Sequence, residues 1–495
     1  MSSSNPSGTP EVGEGTPSVS TKLPLTALIA LGVGGMIGGG IFHLPAQMAG
    51  AAAPGPLIIG WLITGLGMVF LSFVFQHLAN NRPDVDGGVY GYARAGFGDF
   101  VGYMSAWSYW ISAWVGNLGY LVLLVTTIGI FIPGLGKGDA LTIPGIIVAS
   151  IIMWLIHFLI LRGVREAAFV NVVVTIAKIV PLILFVICGF IAFKMNVFTA
   201  DFWGNAIKVD GEGLGSSLTQ IKNMMLVTVW VFIGIEGAAI YSKRAAKRSD
   251  VGKATVTSFV IVIALLILVN LLSYGVMAQP EIAKQGTPSL AAVMEEAVGH
   301  PWGRWVIAIG LIISLLGALL TWIMLAAEIL FVPAEDHNLP SSFGNTNEHQ
   351  SPTTALWVTS ITSQVVLLLS YVWSNGYNFL ILLAASVILP CYLISALFQL
   401  KAARSPWGYT IGIVATIYTV WLVIAGGSGY LLLDGIVWIV GVPLYIYARK
   451  KAGKKPFVGI EYFYLAVVCL LAIGAIVALA NAGWSIDTVT GYSFI

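Results

Sequence analysis

Segments of about twenty apolar residues, long enough to cross a bilayer as a helix, recur along this chain from Leu23 almost to its C-terminus. A bilayer interior has no water to satisfy backbone N–H and C=O groups, so such segments fold as transmembrane helices. Composition agrees: 58% of residues are hydrophobic, 9% are charged and mean hydropathy is +0.90, well outside the soluble globular range. Most loops are too short to hold a large soluble domain. A net charge of +2 gives no footprint for nucleic acid. Cys188, Cys391 and Cys469 lie inside apolar segments and read as small buried hydrophobes, not as a disulfide framework.

Thirteen spans are expected, over roughly 24–49, 56–80, 98–131, 142–162, 168–194, 219–241, 254–277, 303–332, 354–374, 377–400, 408–427, 429–448 and 459–482. With the N-terminus inside, 17 of the 24 Lys and Arg residues fall on cytoplasmic segments and 5 on external ones, as the positive-inside rule requires. The run Arg449–Lys455 asks for the cytoplasm after the twelfth span, so the last helix carries the C-terminus outside. The loop Ala334–Ser351 is placed inside by its neighbours although it holds no Lys or Arg. Residues 1–21, rich in Ser, Gly, Pro and Thr, read as a disordered cytoplasmic tail. They lack the basic start and apolar core of a cleaved signal, so the first helix serves as the insertion signal.

Two of these spans are interrupted by glycine. Gly34-Gly35-Met36-Ile37-Gly38-Gly39-Gly40 sits in the first, and Gly234-Ile235-Glu236-Gly237 in the sixth. Helix breaks persist inside a bilayer only where something uses the freed backbone groups. Spans 1–5 and 6–10 each begin with a broken helix and run in opposite senses, the pattern of an inverted repeat with a substrate site near the midplane. That pattern reads as a secondary transporter. The restarted helix offers N–H groups and positive dipole to a carboxylate, and the carbonyl end of the preceding piece suits an ammonium. Backbone alone would thus read the zwitterionic core of an amino acid, and side chains would select which one. Helix packing is the competing explanation for the glycines.

Glu236 is a carboxylate in mid-span, costing about 2.5–3.5 kcal/mol on insertion scales unless partnered or protonated. It serves either to tie the unwound backbone or to couple protons and attract a cationic substrate. Lys178, in mid-span with no acid within a turn, needs a partner from another helix; it is a proton carrier or a fixed ammonium in place of a bound cation. Trp107, Tyr109, Trp110, Trp114, Trp230 and Trp322 are near the breaks as packing aromatics or as walls for a cationic group. The histidines show no metal spacing, and His43, just after the first break, reads as structural. No nucleophile or metal cluster suggests an enzyme, and no cofactor or metal is expected.

Four motifs resemble the amino acid–polyamine–organocation superfamily, and within it the basic amino acid/polyamine antiporters. They are Gly38-Gly39-Gly40-Ile41-Phe42-His43-Leu44-Pro45, Gly87-Gly88-Val89-Tyr90-Gly91-Tyr92-Ala93-Arg94, Trp230-Val231-Phe232-Ile233-Gly234-Ile235-Glu236 and Ala334-Glu335-Asp336-His337-Asn338-Leu339-Pro340. The thirteenth span and Lys178 look most like bacterial arginine–ornithine exchangers and lysine permeases. The resemblance implies an all-α five-plus-five fold working by alternating access, over a core at 22–400 (repeats 22–200 and 215–400), with 401–495 adding the last three helices. By motif, Gly38, Gly39 and Gly40 would form the carboxylate pocket, with N–H groups from Gly39 and Gly40. Carbonyls of Met36, Trp230 and Ile233 would accept from the α-ammonium. Trp230 would cap the site, Tyr109 would gate it, and Trp322 would pack on the substrate's chain. Ser112, Ala113 and Asn117 would line the side-chain pocket, Glu236 would sense protons, and Lys178 would stand in the sodium position of sodium-coupled cousins. Gly39 stands where arginine–agmatine exchangers have serine, and Ser112 and Ala113 also differ, which argues against agmatine as counter-substrate.

The function expected is arginine–ornithine exchange or lysine uptake across the plasma membrane, with proton-coupled uptake of neutral amino acids as the alternative. Expected partners are the amino-acid substrate, the lipid bilayer and a second copy in a homodimer.

Overall fold

The computed structural model describes residues 24–85, 87–138, 140–163, 167–209, 211–236, 247–349, 351–369, 376–483 and 485–490. The expected tail at 1–21 therefore lies outside the described residues. The first span consists of α1 (Leu25–Met36) and α2 (Gly40–Ala51), bent by 43° at the glycines between them. Then follow α3 (Pro54–Asn81), the short α4 (Gly88–Phe97), α5 (Asp99–Ile128), α6 (Ile143–Leu161) and α7 (Ala167–Ala192). The second set comprises α8 (Ser217–Trp230), α9 (Arg248–Val276), the short α10 (Ser289–Val298), α11 (Trp302–Glu335), α12 (Thr353–Leu369) and α13 (Gly376–Ala402). The chain closes with α14 (Pro406–Ala425), α15 (Gly427–Lys451) and α16 (Glu461–Asn481).

Among the described residues ten helices are long and apolar enough to cross a membrane, and the bent pair α1–α2 makes an eleventh. α8 and α12 are shorter, and both run towards residues outside the described set, so the described helices do not count out thirteen spans. Helix starts follow local chemistry. Pro54, Pro144 and Pro406 occupy first-turn positions where no N–H is needed. Thr142, Ser216 and Ser405 accept from Gly145, Thr219 and Gly408 N–H groups respectively. Two antiparallel ribbons, Gly136–Lys137 with Ala140–Leu141 and Lys208–Val209 with Glu212–Gly213, are the small sheets of the connecting loops.

Burial sorts the helices into a centre and a rim. α5 is 94% buried over its most apolar window and packs between α11 and α13, whereas α16 is 17% buried and turns residues such as Leu470 and Phe463 outward. An outward apolar surface of that kind is what lipid covers.

At one end of the bundle a charged network joins four helices. Arg94 on α4 bonds Asp99 of α5 at 2.8 Å and Asp336 after α11 at 2.7 Å, and Arg449 at the end of α15 bonds Asp99 at 2.9 Å. Tyr90 donates to Asp336 at 2.7 Å. Burial disfavours the Arg94 charge, but the Asp99 hydrogen bond and the charge of Asp336 outweigh it, so its pKa is raised. The loop that lacks Lys and Arg sits at the same end as both cations, because Asp336 pairs with Arg94 and the Asn338 amide oxygen accepts from Arg449 at 3.3 Å.

Candidate substrate site

The first break is built by close approach. A Cβ on Gly38 would collide with the Tyr120 hydroxyl, one on Gly39 would meet Leu315 at 2.6 Å and Leu123 at 2.7 Å, and one on Gly40 would meet Trp230 Nε1 at 2.9 Å. Only glycine allows four large side chains from three helices to crowd onto this short stretch of backbone. The freed carbonyls are taken up. Lys178 Nζ on α7 donates to the carbonyls of Gly34 at 2.9 Å and Ile37 at 2.7 Å, and Ser314 Oγ on α11 donates to that of Gly38 at 3.0 Å. The partner expected from another helix is thus a pair of carbonyls and not a carboxylate. The Met36 carbonyl already accepts from Gly38 N–H at 2.9 Å.

The second break begins where α8 ends. After Trp230 the chain tightens into i to i+3 turns, with Phe232 N–H on Val229 at 3.0 Å and Ile235 N–H on Phe232 at 3.1 Å. Gly234 has φ +105°, and a Cβ there would stand 3.1 Å from the backbone of Gly35. The two breaks therefore meet backbone to backbone, which their sequence separation does not reveal. Gly237 lies outside the described residues.

Glu236 points into a pair of phenols. Its Oε1 accepts from Tyr109 of α5 at 2.6 Å and its Oε2 from Tyr392 of α13 at 3.0 Å, in a pocket where the glutamate is 2% exposed. Short hydrogen bonds to an ionised or ionisable acid are the strong kind. The Tyr109 ring stacks on Trp322 with centroids 6.5 Å apart and planes at 26°. On the other side Trp230 lies against Tyr120 at 5.3 Å, and a Cβ on Gly116 would touch its six-membered ring at 3.0 Å.

Met36, Gly38, Gly39, Gly40, Asn117, Trp230, Ile233 and Trp322 are all buried; Trp230 reaches Gly40, and Trp322 reaches Gly234 at the meeting point. Neither amide atom of buried Asn117, nor Trp230 Nε1, has a hydrogen-bond partner among the described residues. Ala113 lies one helical turn before Asn117 on α5 and is buried. Ser112 is turned aside, its hydroxyl donating to the Ala384 carbonyl of α13 at 2.8 Å. His43 sits in the first turn of α2, accepting from Ser289 N–H at 3.3 Å and packing edge-on to Tyr377. Trp107 donates to the Val437 carbonyl and Trp110 to Thr359, so these two indoles fasten α5 to its neighbours.

Sequence reasoning missed Tyr120, Ser314 and Tyr392. Tyr120 follows Ala113 and Asn117 at helical spacing, so one stripe of α5 carries all three. Ser314 and Tyr392 stand in ordinary apolar helices, where no motif marks them.

Broken helices meeting at a sealed polar centre, within an all-α membrane bundle, define a membrane transporter. Comparison with known proteins gives its family. The amino acid permease model matches residues 23–444, and the chain belongs to that family of transporters. It is 51% identical over 476 residues to the arginine/ornithine antiporter of Pseudomonas aeruginosa, covering 93% of this chain and 97% of that protein. It is 43% identical to a putative arginine/ornithine antiporter of Escherichia coli, covering 87% of this chain and 92% of the relative. It is 39% identical to the arginine/agmatine antiporter of Chlamydia caviae, covering 92% and 96%.

Proposed function

We propose that this chain exchanges arginine for ornithine across the plasma membrane by alternating access. The observation that carries the reading is the contact between Gly35 and Gly234, which makes one centre out of two helix breaks. In that centre the N–H groups of Gly39 and Gly40 receive the substrate carboxylate, and the carbonyls of Met36, Trp230 and Ile233 receive its ammonium. The unpaired amide of Asn117 meets the polar end of the side chain, since a buried amide without partners is a group a ligand can satisfy. Trp322 flanks the aliphatic stem, Ala113 leaves it room, and Ser112 shapes the pocket through its bond to α13. Tyr109 and Trp230 move as gates. Lys178 fixes the carbonyl end of α1 as a sodium ion would, and Glu236 couples the cycle to protons. The names of the relatives above support exchange of arginine against ornithine in particular.

The same reading takes the core as two inverted repeats, 22–200 and 215–400, with 401–495 added, in thirteen spans. The N-terminus is cytoplasmic, the C-terminus external, and the protein works as a homodimer.

Proteoliposomes loaded with ornithine test the proposal. Labelled arginine should enter them and should not enter empty vesicles, and external agmatine should compete weakly. Entry of leucine or alanine in preference to arginine or lysine would instead establish a neutral amino-acid permease.

A further inference from the structure

Between α5, α13, α15 and α16 lies a crevice of about 220 Å³ that the transport site does not use. Its walls are nearly all apolar, with Phe97, Phe100, Met104, Leu397, Trp438 and Val467 among them. It exceeds the roughly 150 Å³ of an apolar cavity that holds benzene. Val467 is 38% exposed on the outward side of α16, so the crevice opens towards the surface that lipid covers.

One end of this crevice is basic. Phe100 packs on Tyr445 at 5.3 Å and on Phe457 at 5.1 Å, and those two rings bracket the run Arg449–Lys455. The acids at this end are already occupied: Asp99 pairs with Arg94 and Arg449, and Glu461 accepts from the Phe100 and Val458 N–H groups. Lys450, Lys451, Lys454 and Lys455 are exposed and make no ion pair with any described acid. Exposed Tyr447, Tyr462 and Phe463 stand beside them, as aromatic side chains do at headgroup depth.

We infer that this crevice and basic run form a binding site for an anionic phospholipid of the cytoplasmic leaflet, an acyl chain filling the crevice and the phosphate meeting the lysines. The leaflet follows from the orientation proposed above; the site itself does not depend on the substrate. A basic run alone fits a topology signal, and an apolar slot alone fits any alkyl chain. Their adjacency selects a ligand with a negative head and a long apolar tail.

Native mass spectrometry of the purified full-length chain, equilibrated with dioleoylphosphatidylglycerol or dioleoylphosphatidylcholine, tests this. The anionic lipid should be retained about tenfold more than the zwitterionic one. Both the K450Q/K451Q/K454Q/K455Q variant and Val467→Trp, which fills the crevice and leaves the charges, should lose that preference. If the fourfold variant does not fold, about 1 M ammonium acetate on the unaltered chain replaces it, because screening then acts over about 3 Å. Equal retention of both lipids overturns the site. So does loss in the charge variant alone, which would mean diffuse attraction, or in Val467→Trp alone, which would mean a slot indifferent to headgroups.

Discussion

The two helix breaks solve the same problem with opposite charges. At the first, a lysine ammonium supplies two carbonyls that would otherwise lack donors, and a serine supplies a third. At the second, the chain satisfies itself with tight turns, and the charged residue faces two phenols from other helices. Lys178 therefore serves carbonyls of the first break, whereas Glu236 holds two phenols and also takes the Gly234 and Glu236 N–H groups of its own break. The difference is that the first break leaves carbonyls for a cation to donate to, and the second leaves N–H groups and phenols for an anion to accept from.

The largest effect should come from Lys178→Met, which keeps the bulk and removes the donor. Two buried carbonyls then lose their partner at about 1–3 kcal/mol each, so the purified variant should melt at lower temperature and lose exchange. Unchanged melting would break the comparison, since the lysine would not be holding the backbone. Gly234→Ala comes next. Its positive φ costs a side chain roughly 1–2 kcal/mol, and the added carbon presses on Gly35, so exchange should fall about tenfold or more. Counterflow at wild-type rate in that variant would mean the breaks need not touch.

Glu236→Gln should have a different signature. An amide still accepts from one tyrosine, so arginine binding should remain measurable by calorimetry while the pH dependence of transport flattens. A preserved pH profile would assign the glutamate a structural role, like that of the lysine. The smallest change is expected for Tyr392→Phe, which removes the longer of the two phenol bonds. Tyr109→Phe, at the shorter bond and on the ring that stacks with Trp322, should move the pH profile further. Equal shifts would mean the two phenols are interchangeable.

Much of this was legible in the chain. The apolar periodicity gave the helices to within a few residues, and Gly38, Gly39 and Gly40 marked the first break because a membrane tolerates an interrupted helix only where something uses it. The motif around Trp230 marked the second. Less legible was the use of each polar side chain. Ser112, read as pocket lining, donates to Ala384 on another helix, and Trp107 and Trp110 turn towards α15 and α12. Tyr392 escaped notice because 156 residues separate it from the glutamate it holds.

The sequence by itself determined that this is a multi-pass helical membrane protein with two interrupted spans and an ionisable residue on each side of the problem. Those follow from hydropathy and from glycine's cost in a helix, which are properties of local chain. Only the tertiary structure decided that Gly35 touches Gly234, that Lys178 serves carbonyls and not a carboxylate, and that Tyr109 and Tyr392 share Glu236. A hydrogen bond between helices depends on their rotation and depth, and periodicity fixes neither.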